Sequence, residues 1–410
     1  MEENTPPEPK PTLRHLDVRH DEQNGQPGLV LSDPLGISQQ QIFIPNGLLP
    51  IVGRFDGDHS IADIATAVAK QTGQTISTQL VEDLSQQLDD CGFMDGKIFR
   101  SRLAEASQAF LSLPGRPARH AGYSAGYPGD QDGVEQALES ILHRPRPDAA
   151  LRPCPRGLIA PHIDLARGRE GYSMAYSALA ECEPADLYVV FGTGHQGPQA
   201  PVTGLPMNWE TPIGSMATDR SYVEAIHQRL GPPAPADLLL HQQEHSIEFQ
   251  MLFLRHLLGE RPCQVAGFLT GHLPSSTGAP GEEDYTLDIL EAFRDASAAV
   301  ESSGRRVCYV AGADLAHIGP EFGDPLPIDK DRLQILNDTE RQRLEHLERG
   351  DPAAFHAAVE HQGNPDRICG TTPMFLAASL AGGCGRLLHY GQATADAGQL
   401  TVSYCGMVFE

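Results

Sequence analysis

From residue 156 to the C-terminus, short apolar runs of strand length alternate with stretches of helical period, and that alternation admits few folds. GLIA, DLYVVF, QVAGFL, VCYVAG and TVSYCGMVF are continuous apolar runs of the kind found in buried strands. Between them, residues 172–180, 222–230 and 247–258 carry helical spacing, and in the last Ile247, Met251, Leu254 and Leu258 fall on one face. Alternating elements of this type predict an α/β domain over 156–410, built on a mixed, largely parallel sheet flanked by helices.

A histidine follows four of these runs within a few residues. His162 comes after GLIA, His195 after LYVVF, His272 after VAGFLT, and His317 after VCYVAGA with Asp314 in between. In open α/β sheets ligands bind outside the carboxyl ends of the strands, so imidazoles delivered to one rim form a candidate site. Taken singly, each is an ordinary loop residue. Glu244 and His245 precede the 247–258 helix, where the helix dipole favours an anion and lowers imidazole basicity; simple helix-end capping explains Glu244 equally well.

Eight cysteines are scattered without a CxxC pair, which argues against a zinc ribbon and predicts that most are buried small hydrophobes. Cys369, in DRICGTTP, stands where a helix opens. A thiol there is expected to have a depressed pKa and thiolate character, and thiolate with imidazole suits zinc, copper or iron. A buried turn cysteine is the plain alternative.

The N-terminal region has a different texture. Residues 1–39 are polar. Within 40–112, Ile61, Ile64, Ala65 and Val68 recur at helical spacing after Ser60, and Leu80, Val81, Leu84 and Leu88 repeat the pattern, with Gly73 and Gly92 as stops. A hairpin over 92–100 would complete a small winged-helix-like domain. The words FDGDHSIADIA and LDDCGFM resemble PqqD-like peptide-recognition domains, which implies a peptide or intramolecular partner. Residues 113–155 hold Pro114, Pro117, Pro128, Pro145, Pro147, Pro153 and Pro155 and glycines around Tyr123 and Tyr127, the composition of a linker, broken by one short helix near 134–142. The chain carries 54 acidic against 30 basic residues, a formal charge of −24. That balance argues against nucleic acid and anionic membranes as partners. The absence of a signal-peptide pattern in MEENTPPEPK, and of an apolar run long enough to span a bilayer, gives a cytoplasmic expectation.

APHIDL, LYVVFGTGH, ETPIGSMATD, EHSIEFQMLFL, AGADLAH, RICGTTP and TVSYCGMVF, in that order, resemble the Memo family, whose bacterial members include AmmeMemoRadiSam system protein B. The resemblance spans 156–410. It implies a fold like that of class III extradiol dioxygenases, one iron or copper ion, and redox activity. It also implies radical-SAM and AMMECR-type system partners. By motif, His162, His195 and Cys369 match the family's metal positions, Asp314 and His317 its acidic and histidine positions on the adjoining strand end, and His245 a further pocket histidine. This chain reads APHIDL where many relatives read APHAGY, and has Gln196 where a second histidine often follows.

The leading expectation is an oxidoreductase in which His162, His195 and Cys369 hold iron or copper, with His317 as acid/base, Asp314 either orienting it or binding the metal itself, and His245 in the pocket. A protein that binds a peptide or another protein through the same pocket without catalysis is the second reading. A zinc-type hydrolase is the third. The substrate, a small molecule or a peptide, is not named by the sequence.

Overall fold

The computed structural model describes residues 10–119, 126–143, 150–273 and 282–410. Residues 1–9 of the polar segment, and Tyr123, Pro145 and Pro147 of the expected linker, lie outside them. The chain divides into two compact units, one ending at Ser112 and the other beginning at Leu113.

The first unit begins with strands. β1 (Asp17–Gln23), β2 (Gln26–Ser32) and β3 (Gln41–Pro45) form an antiparallel sheet in that order. The β1–β2 turn is Asn24-Gly25, with φ of 53° and 74°, the geometry a two-residue hairpin demands. Four helices follow: α1 (Leu49–Val52), α2 (Ile61–Thr72), α3 (Thr78–Asp90) and α4 (Lys97–Leu111). Ser60 and Asp63 cap α2 reciprocally, each side chain accepting the other's backbone N–H, and Gly73 ends the helix in the left-handed region. Ile64, Val68, Val81, Leu88 and Phe93 close the core, while Leu80, expected among them, is exposed.

Two expectations for this unit are corrected. The polar 1–39 segment contains β1 and β2, because its Val30 and Leu31 are buried despite their polar surroundings. The 92–100 hairpin is replaced by the start of α4, which buries Phe99 and Phe110, so the strands precede the helices and the winged-helix order is not formed among the described residues.

The second unit opens on β4 (Gly115–Arg116) and α5 (Gln131–Ile141), both inside the expected 113–155 linker. Arg116 is fully buried and α5 buries Val134, Leu138 and Ile141, so these parts of the stretch belong to the unit's packing. Next come β5 (Gly157–Ala160), α6 (Arg169–Ala180), β6 (Leu187–Thr193), β7 (Val202–Gly204), β8 (Asn208–Thr211) and β9 (Gly214–Met216). They are followed by α7 (Arg220–Leu230), α8 (Pro235–Leu240), α9 (Ser246–Leu258), β10 (Gln264–Thr270) and α10 (Glu282–Glu301). The chain ends with β11 (Val307–Gly312), β12 (Asp314–Ile318), α11 (Lys330–Glu348), α12 (Pro352–Glu360), α13 (Thr371–Ala381), β13 (Gly385–Ala395) and β14 (Leu400–Phe409).

The main sheet is mixed, in the order β12-β14-β5-β11-β6-β10-β7, with β13 paired to β14. β5, β11, β6 and β10 are mutually parallel at its centre; β14, β12, β13 and β7 are antiparallel additions. The apolar runs of the central strands are buried on both faces because helices cover both. Side chains of α7, α10, α12 and α13 share one core with those strands, and α9 packs on β6 and β11. Fully burying a side chain such as Val189 or Phe191 contributes about 2 kcal/mol.

Candidate metal centre

Three histidines meet at the carboxyl rim of the central strands. Pro161 and His162 follow β5, Gly194 and His195 follow β6, and His245 is the N-cap of α9. The first turn of α9 can reach the rim because the strands beneath it carry glycine. A Cβ at Gly192 would collide with Ser246, and one at Gly312 with the Ser246 carbonyl and Gln250. Ser246 Oγ donates to the Thr193 carbonyl at 2.8 Å, tying helix to strand at the point where His195 and His245 emerge.

The three rings offer nitrogens within 4.8 Å of one another. His195 and His245 lie nearly parallel, with centroids 4.8 Å apart, and His162 stands edge-on to both at 4.9 and 5.3 Å. In each ring Nδ1 faces a group that only accepts. His162 Nδ1 lies 2.8 Å from the Gly312 carbonyl; those of His195 and His245 lie 3.0 and 3.1 Å from the Glu244 carboxylate. Nδ1 therefore carries the proton in all three, which leaves each Nε2 for a ligand. Locking the tautomer through an outer partner is how metal-binding histidines are oriented. Glu244 also accepts the backbone N–H groups of His195 and His245, at 2.9 and 2.7 Å, so one buried carboxylate fixes two rings and two backbones.

Electrostatics follow from this placement. Burial, then the neighbouring His195 and His245, hold His162 well below the usual imidazole range. Burial opposes ionisation of Glu244, yet the hydrogen bonds from His195 and His245 keep its carboxyl well below its ordinary value. Burial likewise opposes charge on His195, but the adjacent Cys369 and Glu244 raise it; Glu244 is the cause that operates, since the thiol is itself protonated. A buried carboxylate thus supplies a standing negative charge for a positive charge at the cluster, whether a proton or a metal ion. Three imidazoles with nitrogens within 4.8 Å of one another, oriented and charge-compensated, fit a transition-metal ion.

Cys369 adjoins the cluster, with Sγ 3.4 Å from His162 Nε2. Its expected depressed pKa is corrected. Burial pushes the thiol up, outweighing its hydrogen bonding with His195. Asp314 lies beneath His162, accepting its backbone N–H at 2.9 Å, and burial raises its carboxyl to about 7. His317 opens on the same cleft; burial lowers it to about 4, so it is neutral at pH 7. His272, the fourth strand-end histidine, is exposed and does not line the cleft. The cleft is about 670 Å³, with Phe249, Phe322, Ile163 and Val402 as apolar walls beside the histidines.

The supports behind the cluster were not legible in the sequence. Arg116, fully buried, donates through Nε to the His241 carbonyl at 2.9 Å and through Nη2 to the Glu244 carbonyl at 2.6 Å, and pairs with Glu248. Arg119 Nε and the Tyr127 hydroxyl donate to the other Glu248 oxygen at 3.1 and 2.6 Å. This network holds the loop that carries Glu244 and His245. The only sequence signal for it was a glutamate one helical turn beyond Glu244, on a face that periodicity assigns to solvent.

Residues 116–408 match the model of a protein family described as Memo-like protein. A MEMO1 family protein of Aquifex aeolicus is 26% identical over 409 residues, covering 98% of this chain and 100% of the relative, and so includes the first unit. A MEMO1 family protein of Thermus thermophilus is 25% identical over 311 residues, 76% of this chain and 86% of the relative. One from Methanococcoides burtonii is 33% identical over 168 residues, 40% of this chain and 56% of the relative.

Proposed function

The chain belongs to the Memo-like protein family, and from that premise we propose that its histidine cluster is a redox centre for one iron or copper ion. The observation that carries the proposal is the triple Nδ1–H anchorage, which leaves Nε2 as the ligand atom on three rings whose nitrogens lie within 4.8 Å of one another. His162 and His195 are ligands in either of two sets. His245 completes an all-imidazole set, and Cys369, the position the family resemblance implies, completes a set with a thiolate. The metal selects between them: soft copper(I) favours the sulfur, and iron or zinc accepts imidazole readily. Bound there, iron or copper would supply one-electron chemistry and polarise a small molecule.

The remaining residues have separable tasks. Neutral His317 can take a proton from a bound substrate, acting as base at neutral pH. Asp314 fixes the His162 backbone from below. Phe249 and Phe322 hold an apolar body and exclude water. An extradiol-dioxygenase-like fold and radical-SAM and AMMECR-type partners belong to the same proposal through the Memo resemblance, peptide recognition by the first unit through the PqqD-like one, and a cytoplasmic location through the signal-peptide and apolar-run reading of the sequence. No helix among the described residues is long and apolar enough to cross a membrane.

Elemental analysis of anaerobically purified full-length protein, followed by oxygen-consumption measurements on iron- and copper-loaded samples, tests the reading. His162→Ala and His195→Ala should each abolish occupancy. His245→Ala and Cys369→Ser should divide by metal, the serine variant losing copper(I) and the alanine variant iron. Glu244→Gln should weaken binding about 10- to 100-fold while keeping the fold. Full occupancy in the His162 and His195 variants would overturn the site. Zinc occupancy with hydrolytic turnover would favour the hydrolase, and partner capture by metal-free protein the non-enzymatic reading.

A further inference from the structure

β12 contains a bulge against β14. Asp314 pairs with Tyr404 and His317 with Val402, so Leu315 and Ala316 together oppose Ser403. The extra residue changes parity. In a regular strand, residues three apart face opposite sides; here Asp314 and His317 both share the face of Tyr404 and Val402, the face that lines the cleft. The bulge leaves the Ala316 N–H without a strand partner in a fully buried position. That N–H points at Glu340 Oε1, 3.0 Å away, and at Ser403 Oγ, 2.8 Å away. Ser403 Oγ donates to the same Glu340 oxygen at 2.8 Å, and the Tyr390 hydroxyl donates to Oε2 at 2.6 Å. Glu340 comes from α11, on the far side of the sheet from the cleft, and is itself completely buried.

A carboxyl buried this deeply is not a product of apolar packing, since an aliphatic residue would fill the space without desolvating a polar group. We infer that Glu340 is a positioning residue for the metal cleft: it holds the β12 bulge that turns Asp314 and His317 to the same face. The inference rests on the metal-site reading for its functional meaning, but the bulge stands without it. The link to the cluster runs through Asp314. Its side chain accepts the His162 backbone N–H and its carbonyl accepts that of Gly370, next to Cys369. If Glu340 releases Ala316, the anchors of one histidine and of the cysteine turn loosen together.

The experiment uses full-length protein and four variants. Glu340→Leu removes the Glu340 acceptor and leaves Ser403 Oγ alone with the Ala316 N–H, and Glu340→Gln keeps an acceptor at that position. Ser403→Ala removes the second acceptor only. Leu344→Ala opens a cavity on the same helix, at a fully buried position away from the bulge. Amide hydrogen exchange over residues 312–319 and titration with cobalt(II) alone are read together. Glu340→Leu should accelerate exchange in β12 and weaken cobalt binding about tenfold or more. Glu340→Gln should restore both, and Ser403→Ala should show a smaller change of the same kind, which decides the matter if Glu340→Leu does not fold. Leu344→Ala should lower the thermal midpoint and leave both readouts at wild-type values. Wild-type exchange and cobalt affinity in Glu340→Leu, or equal changes in Leu344→Ala, would overturn the inference. If the wild-type protein binds no cobalt, iron or copper, the metal-site reading fails, and the exchange data alone still decide whether Glu340 holds the bulge.

Discussion

The two units bury different kinds of group. The first is closed by Ile64, Val68, Val81, Leu88 and Phe93, and among the described residues its ion pairs other than Arg14–Asp33 are exposed or partly exposed, as with Arg100–Asp95 and His59–Asp56. The second has a larger apolar core, yet it also buries Arg116, Glu244, Glu248, Asp314 and Glu340. The first four stand around the histidines or the loop that carries them, and Glu340 reaches the neighbouring strand β12 from the far side of the sheet. Buried ion pairs seldom stabilise a fold more than apolar packing would. Their concentration at one edge therefore marks a place where orientation of side chains, and not stability, set the choice of residue.

The largest expected effect tests whether this buried network is integral to the second unit. Arg116→Met removes a charge from Glu248 and two donors from the His241–Glu244 loop, and should cost about 3–5 kcal/mol in urea denaturation. A loss below about 1 kcal/mol, the scale of a surface pair, would dissolve the contrast between the units. The same reasoning predicts that a chain beginning at residue 154 is insoluble, because it lacks Arg116, Arg119 and Tyr127, whereas one beginning at residue 113 folds. Next, Leu88→Ala should destabilise the first unit by about 3 kcal/mol. Metal occupancy of the second unit should not change; if it falls, the units share more than a chain.

A pH effect sharpens the same comparison. Burial raises Glu340 to about 7 against the hydrogen bonds from Tyr390, Ser403 and Ala316 and the nearby charge of Arg343, from an ordinary value of 4.5. An acid whose folded pKa exceeds its unfolded one binds more protons in the folded state between the two values. Its contribution to stability is complete below about pH 4.5 and is lost as pH rises to about 7. Relative to Glu340→Gln, the wild-type protein should lose up to about 3 kcal/mol between pH 4.5 and pH 7.5, read as the difference between two denaturation series. A constant difference across that range would show that Glu340 is ionised throughout. The smallest effect belongs to the first unit: Gly25→Ala places a side chain at φ 74° in an otherwise open turn, and should cost about 1 kcal/mol in thermal denaturation.

Local rules made much of the fold legible. Ser60 as a cap, Gly73 as a stop, and the apolar runs at 157–160, 187–193, 264–270 and 307–312 act through hydrogen bonds and burial within a few residues, so their positions are visible in the chain itself. The same rules identified His162 and His195 at strand ends, because strand direction places whatever follows at the rim. They failed where local pattern and environment part. α9 reads as amphipathic, yet Glu248 and Gln250 on its polar side are buried, one against Arg116 and the other donating to the Pro161 carbonyl.

By itself, then, the sequence determined the central strands, the capped helices α2 and α3 and helix α9, and which family the second unit belongs to, since backbone sterics, capping and apolar periodicity operate over one or two turns. Only the tertiary structure decided that His245 joins the cluster and His272 does not, that burial raises the Cys369 thiol where a helix start alone would lower it, and that one extra residue in β12 turns His317 toward Asp314. Those outcomes depend on strand order, on register, and on how deeply a group is withdrawn from water. They are set by contacts between segments well separated in the chain, from Ala316 with Glu340, 24 residues apart, to Cys369 with His162, 207 apart, and no single helix or strand contains both partners.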